Sequence, residues 1–140
     1  MTIHGPNRTP ARCLLIDDDL DDQEIFSMAI QQFDESIKCD FASDGTKGIE
    51  QLSATVAKVP DCIFIDMNMP RMNGIECLER IKKIDHLKEI PVCMYSTSAD
   101  PTLVARTKEL GAVDFIVKPA DINELSELLG KFLRLNVIRK

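Results

Sequence analysis

The feature that most constrains this chain is a fivefold alternation. Short apolar runs alternate with longer stretches whose apolar residues recur every three or four positions. The runs occupy residues 12–16, 37–42, 61–65, 92–95 and 113–117. Strands that read as nearly continuous apolar runs are buried on both faces, as in parallel sheets. The stretches between carry helical stripes: Ile25, Phe26, Ala29, Ile30 and Phe33; Ile49, Leu52 and Val56; Ile75, Leu78 and Ile81; Leu103, Val104, Thr107 and Leu110; and Ile122, Leu125, Leu128, Leu129 and Phe132. Helix starts are marked by Asn73 with Glu76 and Asp121 with Glu124 at capping-box spacing, and by Asp100 before Pro101; Gly111 marks an end. Five strand–helix units of this size predict an α/β domain, a doubly wound parallel sheet with helices on both faces.

The length of 140 residues suits one domain. Residues 1–10 are polar, with Gly5, Pro6 and Pro10, and read as a flexible tail; residues 11–135 read as the folded domain and 136–140 as a short tail. A net charge of −6 argues against nucleic acid as a direct target. The five cysteines are odd in number, widely spaced and without a C-x-x-C motif. They read as small buried thiols of a reducing compartment. No apolar stretch approaches the roughly 20 residues that span a membrane, and residues 1–10 lack the apolar core of a signal peptide. The expectation is a cytoplasmic protein that does not insert into membranes.

In open parallel sheets, ligands bind beyond the carboxyl ends of the strands. The residues just past each apolar run are therefore the place to look for chemistry. Asp17, Asp18 and Asp19 come after the first, Asp66 and Asn68 after the third, Ser96, Thr97 and Ser98 after the fourth, and Lys118-Pro119 after the fifth. After the second come only Ser43 and Asp44. Carboxylates gathered at one edge oppose one another's ionisation. A divalent cation removes that conflict, and Mg²⁺ suits a site of one or two carboxylates, waters and a phosphate. Lys118 can balance remaining negative charge. Each residue also has an ordinary role: an acid after a strand caps the next helix, which can be all that Asp19 does, and a lone lysine is usually solvated.

Taken together, Leu14-Leu15-Ile16-Asp17-Asp18-Asp19, residues 63–74 (IFIDMNMPRMNG), Ser96, and Phe115-Ile116-Val117-Lys118-Pro119 resemble the receiver domain of two-component response regulators. The resemblance covers about residues 11–135. It implies a flavodoxin-like (βα)5 fold with strand order 2-1-3-4-5. It further implies that Asp66 accepts a phosphoryl group from a phosphohistidine, with Mg²⁺ held by Asp17, Asp18, Asp66 and the backbone carbonyl of Asn68. Ser96 takes the place of the switch hydroxyl, with Thr97 as a neighbouring second hydroxyl. Lys118 would contact the phosphoryl group, and Phe115 would be the switch aromatic. Tyr is common at the position of Phe115, and a bulky apolar residue often stands where Ala120 does. Met67 and Ser98 flank the site and are candidates for tuning dephosphorylation.

The implied protein is a single-domain signalling switch, not a conventional enzyme, although it would catalyse its own phosphorylation and dephosphorylation. Its implied partners are a sensor histidine kinase or histidine phosphotransfer protein upstream. Downstream they are a protein or a second copy, docked on the face of the fourth helix, fifth strand and fifth helix, with Val104 and Lys108. A haloacid-dehalogenase-type phosphatase also uses an Asp nucleophile with Mg²⁺. It needs a second Asp as acid where this chain has Asn68. A receiver that binds partners without phosphorylation is a further alternative. No glycine-rich nucleotide-binding motif occurs.

Overall fold

The computed structural model describes residues 10–54 and 59–138. The expected tail before Pro10, and Val56 of the second stripe, lie outside the described residues. Five strands alternate with five helices: β1 (Arg12–Ile16), α1 (Leu20–Phe33), β2 (Lys38–Ala42), α2 (Gly45–Ala54), β3 (Cys62–Asp66), α3 (Gly74–Lys82), β4 (Val92–Ser96), α4 (Pro101–Glu109), β5 (Asp114–Val117) and α5 (Ile122–Asn136). A 3₁₀ turn, Asp85–Leu87, precedes β4. All neighbouring strands pair in parallel, in the order β2-β1-β3-β4-β5. The expected fold and strand order are those observed.

Period-two geometry explains how apolar runs serve two cores at once. Cys13, Leu15, Cys62, Phe64, Cys93 and Tyr95 point to the side where α1 and α5 pack. Leu14, Ile16, Ile63, Ile65, Val92 and Met94 point to the side that includes Leu52 of α2 and Cys77, Leu78 and Ile81 of α3. The central strands β3 and β4 are buried at every residue, whereas the edge strands β2 and β5 are only partly covered. On the α1–α5 side, Tyr95, Phe26, Phe64 and Phe132 form a chain of edge-to-face contacts with centroids 5.7, 5.0 and 5.1 Å apart.

The sequence-based boundaries shift in physically sensible ways. Strands β2, β3 and β5 begin one residue later than expected: the Ile37 N–H turns back to Asp34 O, while Asp61 and Val113 each give one N–H bond to the neighbouring strand, to Arg12 O and Val92 O, just ahead of the paired registers. Strands β3 and β4 run one residue further, through Asp66 and Ser96. Asn73 caps α3 by accepting the N–H of Glu76, but the Glu76 carboxylate turns to Arg80 instead of closing the box. Asp121 caps α5 through Asn123, one residue earlier than the box predicts. Gly111 follows α4 with φ +110°, the left-handed conformation for which glycine is the default.

Two stripes are less buried than their periodicity suggests. Ile25 is exposed on the flank of α1, and in α4 only Thr107 is fully buried, with Leu103 exposed. Helix α5 continues through Asn136, and Ile138 is buried among the residues of the α1–α5 core, past the Leu135 boundary read from the sequence.

Candidate phosphoacceptor site

The carboxyl edge of the sheet is built from short turns that aim polar side chains inward. Asp17 follows β1, where its N–H donates to Ala42 O at 3.0 Å and its carbonyl accepts from Gln23 Nε2 at 2.8 Å. Its side chain is fully buried, and Oδ1 accepts the N–H of Asp19 at 2.9 Å. Asp19 caps α1, accepting from the N–H groups of Asp21 and Asp22. The ordinary role foreseen for Asp19 is therefore the one it performs. Asp18 is exposed.

Asp66 is the last residue of β3 and is buried, with Oδ1 accepting the N–H of Asn68 at 3.3 Å. The loop beyond closes on itself, with the Gly74 N–H donating to Met67 O at 3.1 Å. Arg71 turns it at φ 68°, a left-handed conformation that costs a non-glycine residue about 1–2 kcal/mol. Gly74 then lets α3 start against the loop: a Cβ there would lie 2.7 Å from Asp66 O and 2.8 Å from Met67 Cα. Asn68 and Thr97 are exposed. Ser96 ends β4 buried, and its Oγ accepts the N–H of Ser98 at 3.3 Å. Phe115 is half-buried in β5, opposite Met94.

Lys118 draws these stations together. Its backbone N–H donates to Ser96 O at 2.7 Å, which ties the end of β5 to the end of β4. Its Nζ donates to Asp22 Oδ2 at 2.7 Å, Asp17 Oδ2 at 3.2 Å and Asp66 Oδ1 at 3.5 Å. It also sits over the Tyr95 ring, 4.8 Å from the centroid. Carboxylate oxygens of Asp17, Asp18 and Asp66 lie within 4.8 Å of one another. Three hard oxygen donors at that spacing fit a divalent cation.

The electrostatics are set by burial. Desolvation raises the Asp17 carboxyl from 3.8 to about 6, against the lowering pull of the Asp19 N–H and the charge of Lys118. Asp66 is raised mainly by burial too, with Lys118 and the Asn68 N–H opposing. Burial works against the charge on Lys118. The bond to Asp22 and the charges of Asp17 and Asp66 outweigh it, so the ammonium titrates above its usual range.

The structure thus brings Asp17, Asp18, Asp66 and Lys118 to one pocket, the convergence the sequence required. It adds two residues that the sequence did not single out. Asp22 looked like one more acid in the first turn of a helix, where acids are favoured anyway. Tyr95 looked like core in an apolar run.

A flavodoxin-like α/β domain with a lysine-bridged carboxylate cluster at its sheet edge defines the class: a phosphoacceptor domain. The chain belongs to the response regulator receiver domain family, whose model matches residues 13–130. It is 32% identical over 129 residues to the chemotaxis protein CheY of Treponema pallidum, which covers 92% of this chain and 87% of that one. Sporulation initiation phosphotransferase F of Bacillus subtilis is 35% identical over 88 residues, 63% of this chain and 69% of its own. Among solved structures, CheY4 of Vibrio cholerae superposes with a TM-score of 0.76 at 27% identity, covering 88% of this chain and 98% of that one. The protein is a two-component signalling protein, not a conventional enzyme, of a family that works with histidine kinases and phosphotransferases. No described helix is long and apolar enough to cross a membrane.

Proposed function

We propose that Asp66 accepts a phosphoryl group from the phosphohistidine of a sensor kinase or a histidine phosphotransfer protein. The observation that carries this reading is the gathering of three aspartates within 4.8 Å, with Lys118 Nζ 3.5 Å from Asp66, in a member of the receiver family. A carboxylate oxygen of Asp66 forms the new P–O bond as the P–N bond to the donor imidazole breaks. The electron pair stays on the imidazole nitrogen, which then takes up a proton. Such transfer depends on positioning and charge neutralisation. Lys118 donates to a phosphoryl oxygen. Asp17, Asp18, Asp66 and the Asn68 carbonyl would hold Mg²⁺, which when bound supplies positive charge against the phosphoryl oxygens. The product is an acyl phosphate, which water cleaves at phosphorus to restore the carboxylate, with Met67 and Ser98 flanking the approach.

The signal leaves through Ser96. Its hydroxyl bonds a phosphoryl oxygen and draws the adjoining loop inward, with exposed Thr97 as the neighbouring hydroxyl. The half-buried Phe115 repacks as that loop moves. The face of α4, β5 and α5, with Val104 and Lys108, then favours a downstream protein or a second copy. Coupling of about 1–3 kcal/mol suffices for such a population shift. The net charge of −6 and five free thiols support a cytoplasmic protein acting through proteins, with neither direct nucleic-acid contact nor membrane insertion.

The test is incubation with acetyl phosphate, with and without Mg²⁺, read by intact mass. Wild type is expected to gain one phosphoryl group in Mg²⁺ only, and Asp66→Asn none. A wild type that stays unmodified, or an Asp66→Asn variant modified equally, would defeat the reading.

A further inference from the structure

Lys118 makes its shortest side-chain bond to a residue with no part in the function proposed above. Its Nζ lies 2.7 Å from Asp22, 3.2 Å from Asp17 and 3.5 Å from Asp66. Charge-assisted N–H···O bonds are strongest near the first of these distances, and the last is at the outer limit of a hydrogen bond. The lysine therefore rests on Asp22 and touches Asp66 least. Its main chain cannot follow a swing of the side chain, because the N–H is fixed to Ser96 O at 2.7 Å. Asp22 is equally placed: it is the third residue of α1, with its N–H on the capping carboxylate of Asp19 at 3.1 Å. Below, the buried Tyr95 ring limits where the ammonium can go.

An ammonium has three N–H donors, and here each faces a carboxylate. A phosphoryl oxygen on Asp66 needs one of them. Asp22 stands outside the trio spaced for a cation, so its carboxylate is not among those a cation there would claim.

We propose that Asp22 is a positioning residue that retains Lys118 away from Asp66 and so competes with the phosphoryl group for the same ammonium. The proposal rests on Asp66 being the acceptor. Asp22 weakens the phosphorylated state relative to a pocket without it, and its removal frees the lysine to turn fully toward Asp66. Asp21 provides a charge-matched control. It lies in the same turn and is exposed, and its substitution by Asn changes the net charge equally without touching Lys118.

The test is titration of the full chain with beryllofluoride, a mimic of the phosphoryl group, at saturating Mg²⁺, followed by calorimetry, with thermal melts of each variant. Asp22→Asn is expected to bind roughly three- to tenfold tighter than wild type, while Asp22→Glu and Asp21→Asn stay within about twofold of it. Equal or weaker binding by Asp22→Asn, with or without a lower melting midpoint, would overturn the proposal. So would an equal gain in Asp21→Asn, which would reduce the effect to net charge. A wild type with no more affinity than Asp66→Asn would instead bring down the acceptor assignment, and this proposal with it.

Discussion

Asp17 has no contact with solvent, and the one ammonium it meets is shared with two other acids. In chelated, metal-free buffer its carboxyl titrates near 6 in the folded protein, against 3.8 ordinarily. Between those values the folded state keeps a proton that the unfolded chain has released. Stability from this residue is therefore full below about pH 4 and is lost as pH rises toward about 6. Asp17→Asn cannot ionise. Its stability relative to wild type should rise from about pH 4 to about pH 6 in urea denaturation and then stay level; a relative stability that falls over that interval would contradict the burial account. Gly74 is the other residue under tight constraint. The Cβ of Gly74→Ala would meet the backbone of Asp66 and Met67 at 2.7 and 2.8 Å. Neither atom can rotate away, and a loss of about 1–3 kcal/mol in unfolding free energy is expected, the cost of a well-packed site made too full.

Among the elements, α4 is the least anchored. Thr107 is its only fully buried residue, and that hydroxyl bonds only the carbonyl of Val104 in the preceding turn. By contrast, α5 buries Leu125, Leu129, Phe132 and Leu133 against the sheet and α1. Local opening costs least where few apolar groups are buried. Backbone amides of α4 should thus exchange with deuterium faster than those of α5, and protection as strong as that of α5 would show that packing is not the controlling factor. The sequence made α5 easy to read, since its stripe is long and closely spaced. It overstated α4, because periodicity records which residues share a face and not how much partner surface waits opposite. Strand limits slipped by one residue for a related reason. Ile37 is apolar enough to belong to a strand, but its main-chain N–H turns back to Asp34 O instead of reaching the neighbouring strand.

Across the whole molecule, one sheet serves two cores and a site, and β3 joins all three. Phe64 lies between Phe26 and Phe132 in the aromatic chain, two residues before Asp66. Phe64→Ala should cost about 3–5 kcal/mol of stability in urea denaturation, as for other buried phenylalanines; a loss under about 1 kcal/mol would show that the chain is not integral to the core. The fold class and the pocket residues Asp17, Asp18, Asp66 and Lys118 were readable because strand ends in a parallel sheet must converge on one edge. Asp22 and Tyr95 were not, because their importance lies in the direction of side chains from a helix turn and a core strand, and neither periodicity nor spacing encodes it. Phosphorylation of a single carboxylate is tested most directly by locating the phosphoryl group itself. The protein is treated with acetyl phosphate and Mg²⁺, then with borohydride, which reduces an aspartyl phosphate to homoserine with loss of phosphate, and mapped by peptide mass spectrometry. Homoserine is expected at position 66 alone, and none when Mg²⁺ is chelated. Homoserine at another aspartate, or its absence from position 66 in Mg²⁺, would contradict the assignment of Asp66 as the acceptor.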